Sequence, residues 1–98
     1  MANFPLKIFK VGDHSMEPNI SEGDYVLANV WSKKYSEGDV VVLRHPTKDI
    51  MLIKRINRIE YGRYFVIGDN TENSEDSRNF GALDPAKIIG KVIWKAGN

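Results

Sequence analysis

No cysteine occurs in this 98-residue chain, which excludes a disulfide framework, a thiolate metal site and a cysteine nucleophile. That absence accords with a reducing, cytoplasmic setting. Long hydrophobic runs are missing as well. Residues 4–11 carry Phe4, Leu6, Ile8 and Phe9, but Lys7 and Lys10 interrupt them well short of a membrane span or a secretory core. Neither sign of charge dominates: 14 basic against 13 acidic residues leave a formal net charge of +1. No basic block is available to track a phosphate backbone, so nucleic acid is not an expected partner. The two histidines, His14 and His45, are too dispersed for a nitrogen-ligated metal centre. No metal or other cofactor is expected, and no repeat or low-complexity tract is evident.

What the chain does contain is punctuation by Gly-Asp. The pairs Gly12-Asp13, Gly23-Asp24, Gly38-Asp39 and Gly68-Asp69 each adjoin an apolar run and read as turns. Strands are predicted over residues 4–11, 24–30, 39–44, 50–59, 64–67 and 88–94, which are short and rich in β-branched and aromatic side chains. Val40-Val41-Val42-Leu43 is apolar on both faces and should be a central strand. Helical periodicity is absent, apart from single turns expected over residues 15–20 or 84–87. The expected fold is mainly β, a single compact domain over residues 1–98 built from short, coiled, mostly antiparallel strands.

Two residues stand in contexts that could support covalent chemistry. Ser15 lies in the turn-forming stretch Gly12-Asp13-His14-Ser15-Met16-Glu17-Pro18. Lys54 interrupts the apolar run Ile50-Met51-Leu52-Ile53-Lys54-Arg55-Ile56, and strand alternation puts Leu52, Lys54 and Ile56 on one face. An amine desolvated there loses basicity, and a neutral amine can take a proton from a serine hydroxyl. Each residue also has a plainer reading: Ser15 as a helix cap, Lys54 as a side chain whose stem covers apolar surface while its head reaches water. Asp13, His14 and Ser15 are adjacent, and neighbours cannot line up as a catalytic triad.

The polar stretch 70–79 looks by composition like a mobile loop. With Gly68 and Asp69 before it, it offers oxygen ligands, but it lacks the central glycine and closing glutamate of a calcium loop. A better use is structural: Asp76 and Arg78 would pair and pin the loop, leaving Ser74 or Ser77 to hydrogen-bond the lysine.

Together these segments resemble the S26 signal-peptidase family of serine-lysine proteases. Ser15-Met16-Glu17-Pro18 with Gly23-Asp24 is similar to its nucleophile box, Gly38-Asp39-Val40-Val41 to the next, and Ile53-Lys54-Arg55-Ile56 to the box carrying the base. Gly68-Asp69-Asn70 with Ser74, Asp76, Ser77, Arg78 and Gly81 resembles the last box, and Gly90-Lys91-Val92 the closing strand. The resemblance implies Ser15 as nucleophile, Lys54 as base, Ser74 as hydrogen-bond partner of the base, and Asp76 with Arg78 as a structural pair. It also implies a substrate polypeptide bound in extended form and cut after a small residue. In size the chain looks like the small soluble branch that matures nickel-type superoxide dismutase by removing an N-terminal leader; any nickel would belong to that substrate.

One departure stands out. Asp13 occupies a position where relatives carry glycine or a serine that helps form the oxyanion hole, next to His14. A carboxylate opposes a developing oxyanion, so Asp13 must turn away, be protonated, or mark altered activity. The amide of Ser15 would remain as one donor, with a neighbouring amide as the second. Three alternatives remain: a self-cleaving repressor-type protease domain, an inactive β module that binds peptides by strand addition, and a signal-peptidase-like enzyme touching a bilayer through Phe4, Leu6, Phe9 or Trp31.

Overall fold

The computed structural model describes residues 4–97. Six strands form one sheet: β1 (Leu6–Lys10), β2 (Tyr25–Asn29), β3 (Val40–Arg44), β4 (Met51–Glu60), β5 (Arg63–Ile67) and β6 (Ile88–Ala96). They are ordered β1-β2-β6-β3-β4-β5, and every neighbouring pair is antiparallel. All six fall on the runs predicted as strands.

β3 sits inside the sheet because both of its faces are apolar. Val41 and Leu43 join one core cluster with Leu52, Ile56, Tyr64, Val66, Leu83 and Ile88. Val42 points the other way, into a second cluster with Val11, Met16, Ile20, Val26 and Ala28. A strand buried on both sides joins two cores that would otherwise be separate.

Length mismatch shapes the sheet at β4. Residues Met51 to Arg55 of this ten-residue strand pair with β3, whereas Arg55 to Glu60 pair with β5 across a bulge. The first half of β4 is therefore free on its β5 side among the described residues, and β1 likewise has a partner only in β2.

The tetrapeptide Ser-Glu-Gly-Asp occurs twice, at residues 21–24 and 36–39, and it makes the same turn each time. The aspartate amide donates to the serine carbonyl at 3.0 Å in both. The aspartate side chain in turn accepts the serine amide, at 2.9 Å for Asp24 and 2.8 Å for Asp39. The third position has φ of 89° at Gly23 and 93° at Gly38, which a residue with a Cβ adopts only under strain. The sequence therefore does hold a short repeat, at the scale of one turn.

Residues 15–20 form the expected turn, closed by the Ile20 amide on the Met16 carbonyl at 3.0 Å. The 3₁₀ turn Pro85–Lys87 is capped by the Asp84 side chain. One helix was not expected: α1 (Ser77–Phe80), a single turn held by a capping box between Asp76 and Asn79. No helix among the described residues is long and apolar enough to cross a membrane.

This two-sided burial makes β3 the strand least tolerant of truncation. Leu43→Ala, at a fully buried position, is expected to cost about 2–5 kcal/mol in urea unfolding. Ile8→Ala, on an exposed strand position, should cost less than about 0.5 kcal/mol.

Candidate active site

Lys54 is buried, at 1% relative exposure, between Leu52 and Ile56 on the predicted face of β4. Burial pushes its amine below the ordinary lysine value. Charged neighbours modulate that effect: Asp13, Asp76 and Glu75 favour the ammonium form, in that order, and Arg78 opposes it. With the side chain as a whole 1% exposed, snorkelling into open solvent does not describe it.

Ser15 is also buried, in the segment that leads from Val11 into the turn at residues 15–20. Its hydroxyl donates to Asp13 Oδ1 at 3.0 Å, and its amide donates to the same oxygen at 3.1 Å. Asp13 therefore does not turn away from Ser15. It faces Ser15, and it is the charge that acts most strongly on Lys54. His14 lies outside this arrangement, its exposed ring bonded to Glu17 at 2.6 Å and paired with Glu22 at 3.4 Å. Those carboxylates raise its affinity for a proton, the Glu17 hydrogen bond foremost.

Backbone seams fix where Ser15 sits. The Asn70 amide donates to the Ser15 carbonyl at 2.8 Å, and the Asn70 side chain donates to the His14 carbonyl at 3.1 Å. Gly68, the residue after β5, lies against the same segment. A Cβ there would lie 2.6 Å from the Ser15 carbonyl oxygen and would collide with Ser74, so only glycine lets the two segments approach this closely. Sequence reasoning missed the part played by Asn70, since an asparagine in a polar stretch carries no sign of its partner.

The loop after β5 is pinned rather than mobile, and Asp76 is its anchor. This wholly buried carboxylate accepts from the Gly68 amide (3.0 Å), Ser74 Oγ (2.7 Å), the Arg78 amide (3.1 Å) and Arg78 Nε and Nη2 (2.9 Å each). Burial alone would raise its pKa. The guanidinium, the two amides and the serine hydroxyl outweigh that and hold it well below the carboxylate range. Ser74 thus donates to Asp76 and keeps lone pairs for another donor, whereas Ser77 Oγ accepts the Val66 amide of β5 at 2.8 Å. Of the two serines, Ser77 has a structural task.

A second clamp comes from His45, which is buried. Its Nδ1 accepts the Thr47 and Lys48 amides at 3.1 Å each, so Nε2 carries the proton that goes to Glu75 at 3.0 Å. The β3–β4 turn is thereby joined to the loop that carries Ser74 and Asp76.

Beside the site runs a groove of about 480 Å³, lined by Ile8 to Asp13, Val42 and Ile50 to Ile53. Its walls are the free side of β1 and the unpaired half of β4. A similar depression at Asn19, Arg55 and Asp69 is bridged by the bidentate Arg55–Asp69 pair and does not include Asp13.

Asp76 makes the loop acid-sensitive. Its pKa is depressed on folding, so its stabilisation is complete above the unfolded value of about 4. As pH falls below about 4 towards the folded value, that stabilisation drains away. Asp69, held low first by Arg55, acts in the same direction. Asp76→Asn is expected to lose on the order of 2 kcal/mol at pH 7 and to show a shallower loss between pH 5 and pH 2, measured by denaturant titration at each pH.

A family model described as Peptidase S24-like matches residues 2–93. The chain is 34% identical over 96 residues to mitochondrial inner membrane protease subunit 2 of Schizosaccharomyces pombe, covering 79% of this chain and 53% of that one. It is 35% identical over 108 residues to the mitochondrial ATP-independent inner membrane protease subunit 1b of Arabidopsis thaliana, covering 83% and 64%. With signal peptidase IB of Staphylococcus aureus it shares 38% identity over 66 residues, covering 66% and 35%. The chain thus spans between about a third and two thirds of the length of these relatives. The expected signal-peptidase kinship is borne out, and the chain belongs to the Peptidase S24-like family.

Proposed function

We propose that this chain is a serine endopeptidase with Ser15 as nucleophile and Lys54 as base, which removes an N-terminal leader from a precursor protein. The observation that carries this reading is a buried lysine of depressed basicity, coupled most strongly to the carboxylate that touches the Ser15 hydroxyl. Such a base can be neutral near physiological pH, which an exposed lysine cannot.

In the reaction, neutral Lys54 takes the Ser15 proton as Oγ bonds to the scissile carbonyl carbon. The tetrahedral adduct then collapses: the C–N bond breaks, and the Lys54 ammonium passes its proton to the leaving amine. A water molecule, deprotonated by the same amine, attacks the ester and frees Ser15. Ser74, with lone pairs to spare, steadies the lysine, and the Asp76–Arg78 pair holds Ser74. The substrate lies extended in the groove between β1 and the first half of β4, where unpaired strand edges offer backbone donors and acceptors.

For the substrate we propose a precursor whose leader ends in a small residue, with a nickel superoxide dismutase precursor as the first candidate, and the cytoplasm as the setting. A second reading, contact with a bilayer surface, is favoured by exposed Phe4, Ile8, Trp31 and Trp94. Of the residues expected to make that contact, Leu6 and Phe9 are only half-exposed, and Phe9 packs on the core. Liposome flotation separates the two settings.

Mixing the protein with leader-bearing precursors and reading new N-termini by mass spectrometry tests the activity. Ser15→Ala and Lys54→Arg are expected to abolish cleavage, since a guanidinium stays protonated. Full proteolysis by either would overturn the assignment.

The lysine also predicts a pH signature. Because its folded pKa lies below the unfolded one, the unfolded state binds the extra proton, and stability rises with pH between the two values. Activity should rise through the folded value as the base becomes neutral. Lys54→Met should be inactive, less sensitive to pH in that window, and more stable at pH 7 by about 1 kcal/mol, or roughly 4–8 °C in Tm. Calorimetry across pH measures both effects.

A further inference from the structure

Asp13 does something the dyad does not require. An aspartate that accepts the amide two residues on is an ordinary turn device. Here the same Oδ1 also accepts a hydrogen bond from the Ser15 hydroxyl at 3.0 Å, beside the amide at 3.1 Å. Those two donors are the ones acyl transfer needs free: the amide for the oxyanion, the hydroxyl for the base. Asp13 also lines the groove in which the substrate would lie.

We propose that the Asp13 carboxylate is a resident plug, filling the place of the scissile carbonyl oxygen, and that it must swing out before Ser15 can be acylated. This rests on the reading of Ser15 as nucleophile. With its negative oxygen on the Ser15 amide, the resting site is satisfied as a tetrahedral adduct would satisfy it. A substrate carbonyl, which is neutral until attacked, competes poorly for the same amide.

Room for the swing exists. Asp13 lines the groove beside the site, so its carboxylate has open space to turn into. The plug also reaches the base. The charged groups acting on Lys54 are Asp13, Asp76, Glu75 and Arg78; Asp76 is committed to Arg78 and Gly68, and Glu75 to His45 and Lys48. Asp13 forms no salt bridge among the described residues, its other charged neighbour being the exposed His14 ring, so its charge is the least committed of those that favour the ammonium. Moving it would release the hydroxyl, the amide and the lysine proton together.

The test compares the unaltered protein with Asp13→Gly, Asp13→Asn and Ser15→Ala, treating each with p-nitrophenyl acetate across pH and following the acetyl group on Ser15 by mass spectrometry. Asp13→Gly should acylate at least about tenfold faster at pH 7, since a recovered oxyanion donor is worth that much or more. Its pH midpoint should move lower. Asp13→Asn, uncharged but still able to accept, should fall between, and it also serves if the glycine variant does not fold. Equal or slower acylation of both Asp13 variants, with Ser15 still the labelled residue, overturns the plug and leaves the nucleophile intact. No Ser15 adduct in any of the three proteins that retain Ser15 overturns both readings.

Discussion

The site depends on the cost of hiding an amine inside a sheet. Lys54 lies where a hydrophobic residue would pack better, flanked along its strand by Leu52 and Ile56 and paired across to Val41. Desolvation lowers its basicity, and a residue that resists its charge can serve as a proton acceptor. The surrounding carboxylates set the balance. Too many would restore the ammonium; too few would leave it uncompensated in apolar surroundings whenever it takes up a proton.

Asp76 solves part of that problem without touching the lysine. Its carboxylate gathers a strand end, a helix start, a serine and a guanidinium, and it still favours the Lys54 ammonium, less than Asp13 does. The same bonds bring the loop against the segment that carries Ser15, through Gly68 and Asn70. Two distant stretches of sequence, around residues 15 and 70, thereby share one wall. His45, bonded to Glu75, adds the β3–β4 turn to that wall.

Much of this was legible in the sequence because it is local. Alternation placed Lys54 on the face of Leu52 and Ile56, and the doubly apolar run 40–43 marked β3 as internal. The Asp76–Arg78 pair was readable too, being only two residues apart. What escaped was set by partners far along the chain or by the direction of one side chain. The helix α1 is too short for periodicity to reveal, and its cap is an aspartate whose other bonds reach back to Gly68. The burial of His45 depends on Glu75, 30 residues away. The orientation of Asp13 turns on one rotamer, and composition carries no trace of it.

The divided loyalty of β4, whose first half has a neighbour on one side only, has a mechanical consequence. A guest chain that zips onto that border keeps the same side chains facing inward only when it slides by two residues, about 6.6 Å. Slippage by one turns every inward group outward. Such a border acts as a ruler with coarse marks for any extended chain paired along it.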